Sequence, residues 1–368
     1  MDTLTYEQTK KLLREGNEPA ITIYMPHVAA GSESDQNVIR LKNALKEAET
    51  RLVERGYTEK EAASFLEKTR GLLDEERRTG NSGRGMVVYT DPGGFVSYLL
   101  PMAFETIVAD GSRFYVTPLL RYLFPNGAYY LLAVTREWVD LFSGDRFCLK
   151  PVTTPDMPKG IRDTLKYDQT EKQLQSHPSG TEALHGQDVA HEDERSRVHR
   201  YCTDIDHAVR SVVNGSNRPL VVMGDPVLQS AFTSCTEYGG PVMAGPSKSP
   251  ASYTRRELLD AAWERVLPGF NRPLDDAVAR CEEAYAKSGD SRSVEEILRR
   301  AASGQVETLL IDPSAELWGT FDSERDLIEP HARRKPGDDN LLDLAAGEAL
   351  LHGARVLPAE TDDLPGTA

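Results

Sequence analysis

The sequence predicts an α/β protein with three domains. Segments rich in β-branched and aromatic residues alternate with segments whose apolar residues recur every three or four positions, which is typical of strands followed by helices. A length of 368 residues is enough for two or three domains that each bury a core. The proportions of apolar (39%) and charged (27%) residues are those of globular proteins, which excludes a fibrous or wholly disordered chain.

The first predicted domain covers residues 1–125. Its strands are bounded by turn residues, and its helices have one apolar face. The predicted elements are a strand at 20–25, a helix from Ser34 or Asp35 to Gly56, a helix at 59–78, and a hairpin formed by 86–89 and 95–100. A glycine cluster at 80–85 does not match the phosphate-binding loop pattern, and we interpret it as an ordinary loop.

The second predicted domain covers residues 126–267 and begins after the turn sequence Pro125-Asn126-Gly127. The predicted elements are strands at 129–134 and 138–142, a helix at 198–212, a strand at 220–223 and a helix at 255–267. Residues 151–194 contain few large apolar side chains and form a segment too long for a simple connection. We therefore expect a long loop in this domain that is either functional or disordered.

The third predicted domain covers residues 268–368. Two helix-glycine-strand units in succession indicate a small α/β domain. The predicted elements are helices at 274–287, 293–302 and 341–351, strands at 306–311 and 354–357, and a charged linker at 322–340.

The charge and the cysteines limit the classes of function. A formal net charge of −15 disfavours binding to free DNA and to anionic membranes, although one local basic face can still contact a large RNA assembly. The four cysteines form no C-x-x-C pair, and the first residues lack the pattern of a secretory signal. These features predict a cytoplasmic protein with reduced thiols.

Four segments, in this order, carry a resemblance to a known family: FYVTPLL at 114–120, the strand pair at 129–142, Leu184-His185-Gly186-Gln187, and AASGQVETLL at 301–310. Together they resemble the bacterial archaeo-eukaryotic release factor family, whose members are similar to archaeal and eukaryotic termination factors and to the rescue protein Pelota. The resemblance covers nearly the whole chain. It implies an RNase H-like middle domain, an L7Ae-like C-terminal domain and a middle-domain loop that carries Gly-Gly-Gln or a related tripeptide.

The tripeptide supplies the candidate catalytic residues. Cleaving a peptidyl-tRNA ester requires a positioned water, hydrogen-bond donors for the oxyanion, and a backbone without bulky side chains. The resemblance implies that Gln187 orients the water and that Gly186 gives clearance. His185 stands where the family pattern has its first glycine, and it adds bulk and restricts the backbone.

The resemblance implies a ribosome-associated translation factor that acts in termination, rescue or stress-time silencing. Its expected partners are the ribosome and its rRNA, with peptidyl-tRNA and a translational GTPase as further partners, and no cofactor is expected. Because His185 departs from the catalytic pattern, we favour a non-enzymatic, tRNA-mimicking occupant of the ribosomal A site over a peptidyl-tRNA hydrolase. Both interpretations stay open on the sequence.

Two further clusters suggest other sites. Four histidines and several acids between 185 and 207 suggest, as an alternative, a metal-dependent hydrolase; the histidines are His185, His191, His199 and His207. The spacing of these residues favours a solvated helix face instead, and we predict no metal site. The basic pair Arg299-Arg300 and the basic triplet Arg333-Arg334-Lys335 are candidate rRNA contacts. The acidic residues around the triplet favour a solvated surface there.

Overall fold

The computed structural model describes residues 4–28, 35–74, 83–163, 186–213, 215–288, 293–322, 325–361 and 364. For residue 35 and residues 186–193, only the backbone is described.

The chain combines helices with several sheets, as the sequence predicts. The helices are α1 (Tyr6–Glu15), α2 (Asp35–Glu54), α3 (Glu59–Phe65), α4 (Glu67–Arg70), α5 (Thr117–Leu123), α6 (Gly186–Val213), α7 (Pro226–Cys235), α8 (Arg255–Ser288), α9 (Val294–Ala302) and α10 (Leu341–Leu351). The strands are β1 (Ala20–Pro26), β2 (Gly85–Asp91), β3 (Gly94–Leu100), β4 (Ile107–Gly111), β5 (Tyr129–Val134), β6 (Val139–Gly144), β7 (Leu149–Pro151), β8 (Leu220–Met223), β9 (Val242–Ala244), β10 (Thr308–Ile311), β11 (Trp318–Asp322), β12 (Leu327–His331), β13 (Asp339–Asn340) and β14 (Arg355–Pro358).

The chain divides into two compact units. The first unit contains Met1–Pro125 together with Arg272–Ala368, and the second contains Asn126–Asn271. The segments predicted as the first and third domains thus contribute to one compact unit. The boundary predicted between 267 and 268 falls inside α8.

An antiparallel sheet with the order β3-β2-β1-β4 forms the N-terminal part of the first unit. Alternate side chains of β1 point to opposite faces, so Ile21 and Ile23 pack against Leu41 of α2 and its neighbours. On the other face the Tyr24 hydroxyl donates to the carbonyl of Tyr115 at 2.7 Å. The predicted strand, α2 and hairpin are confirmed, whereas the helix predicted at 59–78 is interrupted at Leu66, a fully buried residue.

The C-terminal part of the first unit has a parallel pair, β10-β14, and a small antiparallel sheet with the order β12-β11-β13. Its predicted helices α9 and α10 are confirmed. The linker predicted at 322–340 is wrong, because β12 and β13 lie within it. The segment is charged, but two of its residues fix it to the fold. Ile328 is buried in the core, and the buried Asp338 carboxylate accepts the backbone N–H of Lys335 at 2.9 Å.

Buried carboxylates connect the two chain segments of the first unit. Oδ1 of Asp343, on α10, accepts hydrogen bonds from the backbone N–H of Val116 (2.9 Å), from the backbone N–H of Thr117 (2.7 Å) and from the Thr117 hydroxyl (2.5 Å). Asp339 likewise accepts the backbone N–H (2.8 Å) and hydroxyl (2.7 Å) of Ser112. These bonds satisfy donors at the start of α5 that would otherwise be buried without a partner.

A second polar group of the first unit is centred on Asp110, whose side chain is only 1% exposed. Arg51 of α2 and Arg55, just after that helix, approach its carboxylate at 3.5 and 3.6 Å, and Arg334 also pairs with it. The Arg334 guanidinium in addition lies over the Trp318 ring, 5.1 Å from its centroid.

The second unit is built on a five-stranded sheet with the order β7-β6-β5-β8-β9. Strands β5, β8 and β9 are parallel, and β6 and β7 are antiparallel to their neighbours. Helices α6 and α7 cover one face, where Leu132 and Val222 meet Val209 of α6. Helix α8 covers the other face, where Leu131 and Val221 pack against it. The alternation of buried side chains along β5 and β8 thus makes a three-layer unit.

Two predicted helix boundaries are wrong. The helices expected at 255–267 and 274–287 form one continuous helix, α8, that passes through Pro268 and Pro273. A proline inside a helix costs about 3 kcal/mol, and the burial of Ala262 and Val266 against the sheet offsets part of that cost. Helix α6 begins at Gly186, before the residue where the predicted loop 151–194 ends.

Replacing Asp343 tests the importance of its hydrogen bonds. Burial raises the pKa of Asp343 to about 6, above the ordinary value of 3.8. The folded state therefore binds this proton more tightly, and the contribution of Asp343 to stability is greatest below pH 4 and is lost as the pH rises through 6. We expect the free energy of unfolding of the native protein relative to Asp343→Asn to fall by about 2 kcal/mol between pH 4 and pH 7 in denaturant titrations.

Asp343→Ala provides the matched comparison. Asparagine keeps an acceptor oxygen for Val116 and Thr117, whereas alanine leaves their buried donors without a partner, so at pH 7 the alanine variant should be less stable than the asparagine variant by about 2 kcal/mol or more. Equal stability of the two variants would show that the hydrogen bonds are not important.

Candidate functional site

The turn between β5 and β6, residues 135–138, is the structural centre of the candidate site. The backbone N–H of Thr135 donates to the carbonyl of Trp138 at 2.9 Å, and the Thr135 hydroxyl accepts the N–H groups of Glu137 and Trp138 at 3.2 and 3.0 Å. A threonine side chain that bonds to its own turn holds the backbone in one conformation. The turn therefore offers fixed carbonyl groups to other parts of the chain.

The two chain stretches that flank residues 164–185 both contact this turn. On the first flank, the backbone N–H of Ile161 donates to the carbonyl of Arg136 at 2.9 Å. On the second flank, Glu194 of α6 pairs with the Arg136 side chain, and the buried Tyr201 hydroxyl donates to the carbonyl of Thr135 at 2.9 Å. Both ends of the predicted functional loop are thus attached at one place on the sheet.

Gly160 allows the first flank to approach the turn. Its φ of +153° lies in a region that side chains disfavour, and a Cβ atom there would stand 2.6 Å from the carbonyl oxygen of Glu137. No other residue type fits this close backbone contact without a shift of the chain.

A cavity of about 530 Å³ opens beside the turn. It is lined by Arg136, Glu137, Lys159, Gly160, Ile161, Arg162 and Asp163. The lining carries three cations and two carboxylates, and Glu194, which is not part of the lining, pairs with Arg136. The side chains of Lys159 and Arg162 are exposed, and within the described part of the chain neither pairs with a carboxylate. The cavity therefore presents two exposed cations, Lys159 and Arg162, that no ion pair in the described part of the chain neutralises, on a protein of net charge −15.

The predicted tripeptide lies near this turn along the chain. His185 is outside the described residues, and Gly186 and Gln187 form the first turn of α6. The expectation that residues 186–194 belong to a loop is therefore wrong: their backbone is helical and continues the helix that packs on the sheet. With a rise of 1.5 Å per residue, Gly186 is about 12 Å along the helix axis from Glu194, which pairs with the turn.

The two predicted basic clusters are partly occupied by partners within the chain. Nε of Arg299 donates to the Asp326 carboxylate at 3.0 Å, and Arg300 pairs with Glu296 at 2.6 Å. Arg334 forms an ion pair with Asp110, as described above. Arg333 and Lys335 are exposed. Arg334 therefore holds two segments of the first unit together, and the predicted rRNA contact applies best to its two exposed neighbours.

The described residues contain no group of three His, Cys, Asp or Glu side chains that could hold a metal ion. His199 and His207 are exposed on α6, while His185 and the side chain of His191 lie outside the described part. Burial raises the pKa of the Cys202 thiol to about 12, which makes it a poor nucleophile at neutral pH. Among the described residues, no helix has the length and apolar character needed to cross a bilayer.

Sequence reasoning did not single out Arg136, Lys159 and Arg162. They lie apart along the chain, in or beside the segment that the composition marks only as poor in apolar residues. The one local signal is Pro158-Lys159-Gly160, a turn-type sequence next to a basic residue.

The fold and the site define a class: a mixed α/β protein in which a long segment is inserted beside a turn of a five-stranded sheet. Residues 128–305, nearly half of the chain, match the model of the bacterial archaeo-eukaryotic release factor family 3, which confirms over these residues the resemblance that the sequence shows. The match includes the whole five-stranded sheet, the predicted tripeptide and the cavity.

Two solved structures were also compared with the chain. The first is described as an archaeal protein (14% identity, TM-score 0.25), and the second as the archaeal translation termination factor aRF1 (14% identity, TM-score 0.24). Each alignment covers 97% of this chain and 92% of the other. Comparison with curated proteins gave no match.

Gly160→Ala tests the contact between the first flank and the turn. The added methyl group meets the Glu137 carbonyl, so we expect a loss of about 1–3 kcal/mol in the free energy of unfolding. Gly239→Ala is the matched control in the same unit, because its Cβ would meet no atom within 4 Å. Denaturant titrations compare the two variants, and an equal effect on both would argue against a close contact at Gly160.

Proposed function

We propose that this protein is a ribosome-associated translation factor that occupies the A site or a neighbouring tRNA-like position during termination, rescue or hibernation. The observation that carries the proposal is the family match over residues 128–305, since it contains both the five-stranded sheet and the tripeptide at 185–187. The cytoplasm is the compartment that fits this role.

We infer that the protein acts as a non-enzymatic occupant. A catalytic loop needs a backbone that can enter a narrow RNA-lined centre and adjust there. Two features count against this adjustment: His185 stands in place of a glycine, and Gly186 and Gln187 belong to a helix. In this proposal the tripeptide plugs or senses the peptidyl-transferase region, with Gln187 offering an uncharged amide to RNA.

The domain assignments belong to the same proposal. The mixed sheet of the second unit, covered by helices on both faces, supports an RNase H-like middle domain. The parallel pair β10-β14 with α9 and α10 supports an L7Ae-like C-terminal region. Mimicry of tRNA, and partnership with peptidyl-tRNA and a translational GTPase, follow from this proposal as expectations.

Co-sedimentation with ribosomes tests the proposal directly. The purified protein is mixed with vacant, elongating and stalled ribosomes across a salt series. We expect binding that weakens as salt rises, because counterions compete with cationic side chains for RNA phosphates. Failure to bind any ribosomal state at low salt would contradict the proposed function.

A peptide-release assay separates the two interpretations of the tripeptide. For a non-enzymatic occupant, we expect the native protein and Gln187→Ala to release peptide from ribosome-bound peptidyl-tRNA at the same background rate. Release by the native protein above background, reduced 10-fold or more in Gln187→Ala, would instead support the peptidyl-tRNA hydrolase. Ribosome binding of both proteins is measured in parallel, so that a loss of binding is not mistaken for a loss of catalysis.

A further inference from the structure

We propose that the cavity beside the turn 135–138 is a binding site for the phosphate backbone of RNA, with Lys159 and Arg162 as the principal cations and Arg136 as a third. The inference rests on the proposed function and deepens it, because it assigns a specific part of the second unit to the RNA contact. None of the basic clusters that the sequence marks includes these residues.

The charge of the cavity favours an anionic ligand. Lys159 and Arg162 are exposed, and no carboxylate in the described part of the chain pairs with them. Of the two acids in the lining, Asp163 is already engaged within the chain. Lys159 and Arg162 are thus two unneutralised cations on a strongly acidic protein, and they attract an anion that approaches the cavity.

Arg136 adds donors with a fixed direction. Its Nη1 pairs with Glu194, and its side chain is 45% exposed, so other guanidinium N–H groups remain available for a second partner. An exposed ion pair contributes little stability, and a phosphate can therefore share or replace Glu194 at small cost.

The backbone around the cavity is held in place before a ligand arrives. The hydrogen bond from Ile161 to Arg136 and the close contact of Gly160 with Glu137 fix the stretch that carries Lys159 and Arg162. A preformed site avoids part of the entropy cost of binding.

An extended polyanion fits this site better than a small anion. The cations are exposed and distributed around an open cavity, so each single contact is weak in water. A polynucleotide places successive phosphates against several cations at once, and its affinity then increases with the number of contacts. We therefore assign the site to RNA backbone.

The double variant Lys159→Gln/Arg162→Gln tests this assignment with purified vacant ribosomes. Both side chains are exposed, so the fold should be preserved, and this is checked by circular dichroism and denaturant titration. Each lost phosphate contact lowers the slope of log affinity against log salt by about 0.7–0.9. We expect the slope to fall by about 1.5 and the affinity at 0.1 M salt to fall about 10-fold.

The matched control is Arg272→Gln/Lys287→Gln, which removes the same charge from two exposed positions of α8. Its salt slope should change by less than half as much as that of the cavity variant. An unchanged slope in the cavity variant, or an equal change in both variants, would overturn the assignment while leaving ribosome binding intact. Failure of the native protein to bind ribosomes would instead contradict the proposed function itself.

Discussion

The buried carboxylate of Asp343 joins two parts of the chain that are more than 200 residues apart. One oxygen receives three donors from Val116 and Thr117, and the neighbouring acids Asp339 and Glu348 bind Ser112 and Arg113 in the same region. Burying a charged group is costly unless hydrogen bonds compensate, and such groups favour one arrangement over others that are equally apolar. The hydrogen bonds of Asp343 therefore favour the observed arrangement of the apolar core between α5 and α10.

The regular elements of the fold could be predicted from local patterns, because burial on one face imposes a period that the sequence must show. Helix α2 follows this rule, and β1, β2 and α10, which are buried along almost their whole length, show the apolar runs that such burial requires. Strand β12 does not, since one buried residue, Ile328, suffices to anchor it among charged neighbours. The continuity of α8 through Pro268 could not be predicted from the sequence either, because the packing that offsets the free-energy cost of a proline depends on residues distant in the chain.

The candidate site could be predicted only where its residues are adjacent in sequence. His185, Gly186 and Gln187 form a recognisable tripeptide, so the family resemblance located them. The turn site is assembled from Arg136, Ile161, Glu194 and Tyr201, and no spacing in the sequence indicates that these positions meet. Their side chains are ordinary for exposed loops and helix faces. Their contacts follow from how the strands and α6 pack, which is a property of the whole unit.

The attachment of both flanks to one turn also has an evolutionary consequence. When a chain leaves and re-enters a fold at the same point, the entropy cost of closing the segment grows slowly with its length, by only about 0.6 kcal/mol for each doubling. The closure cost of the segment between residues 163 and 186 is therefore almost independent of its length. An insertion or deletion in this segment adds little to that cost, so evolution can change its length without redesigning the sheet that carries it.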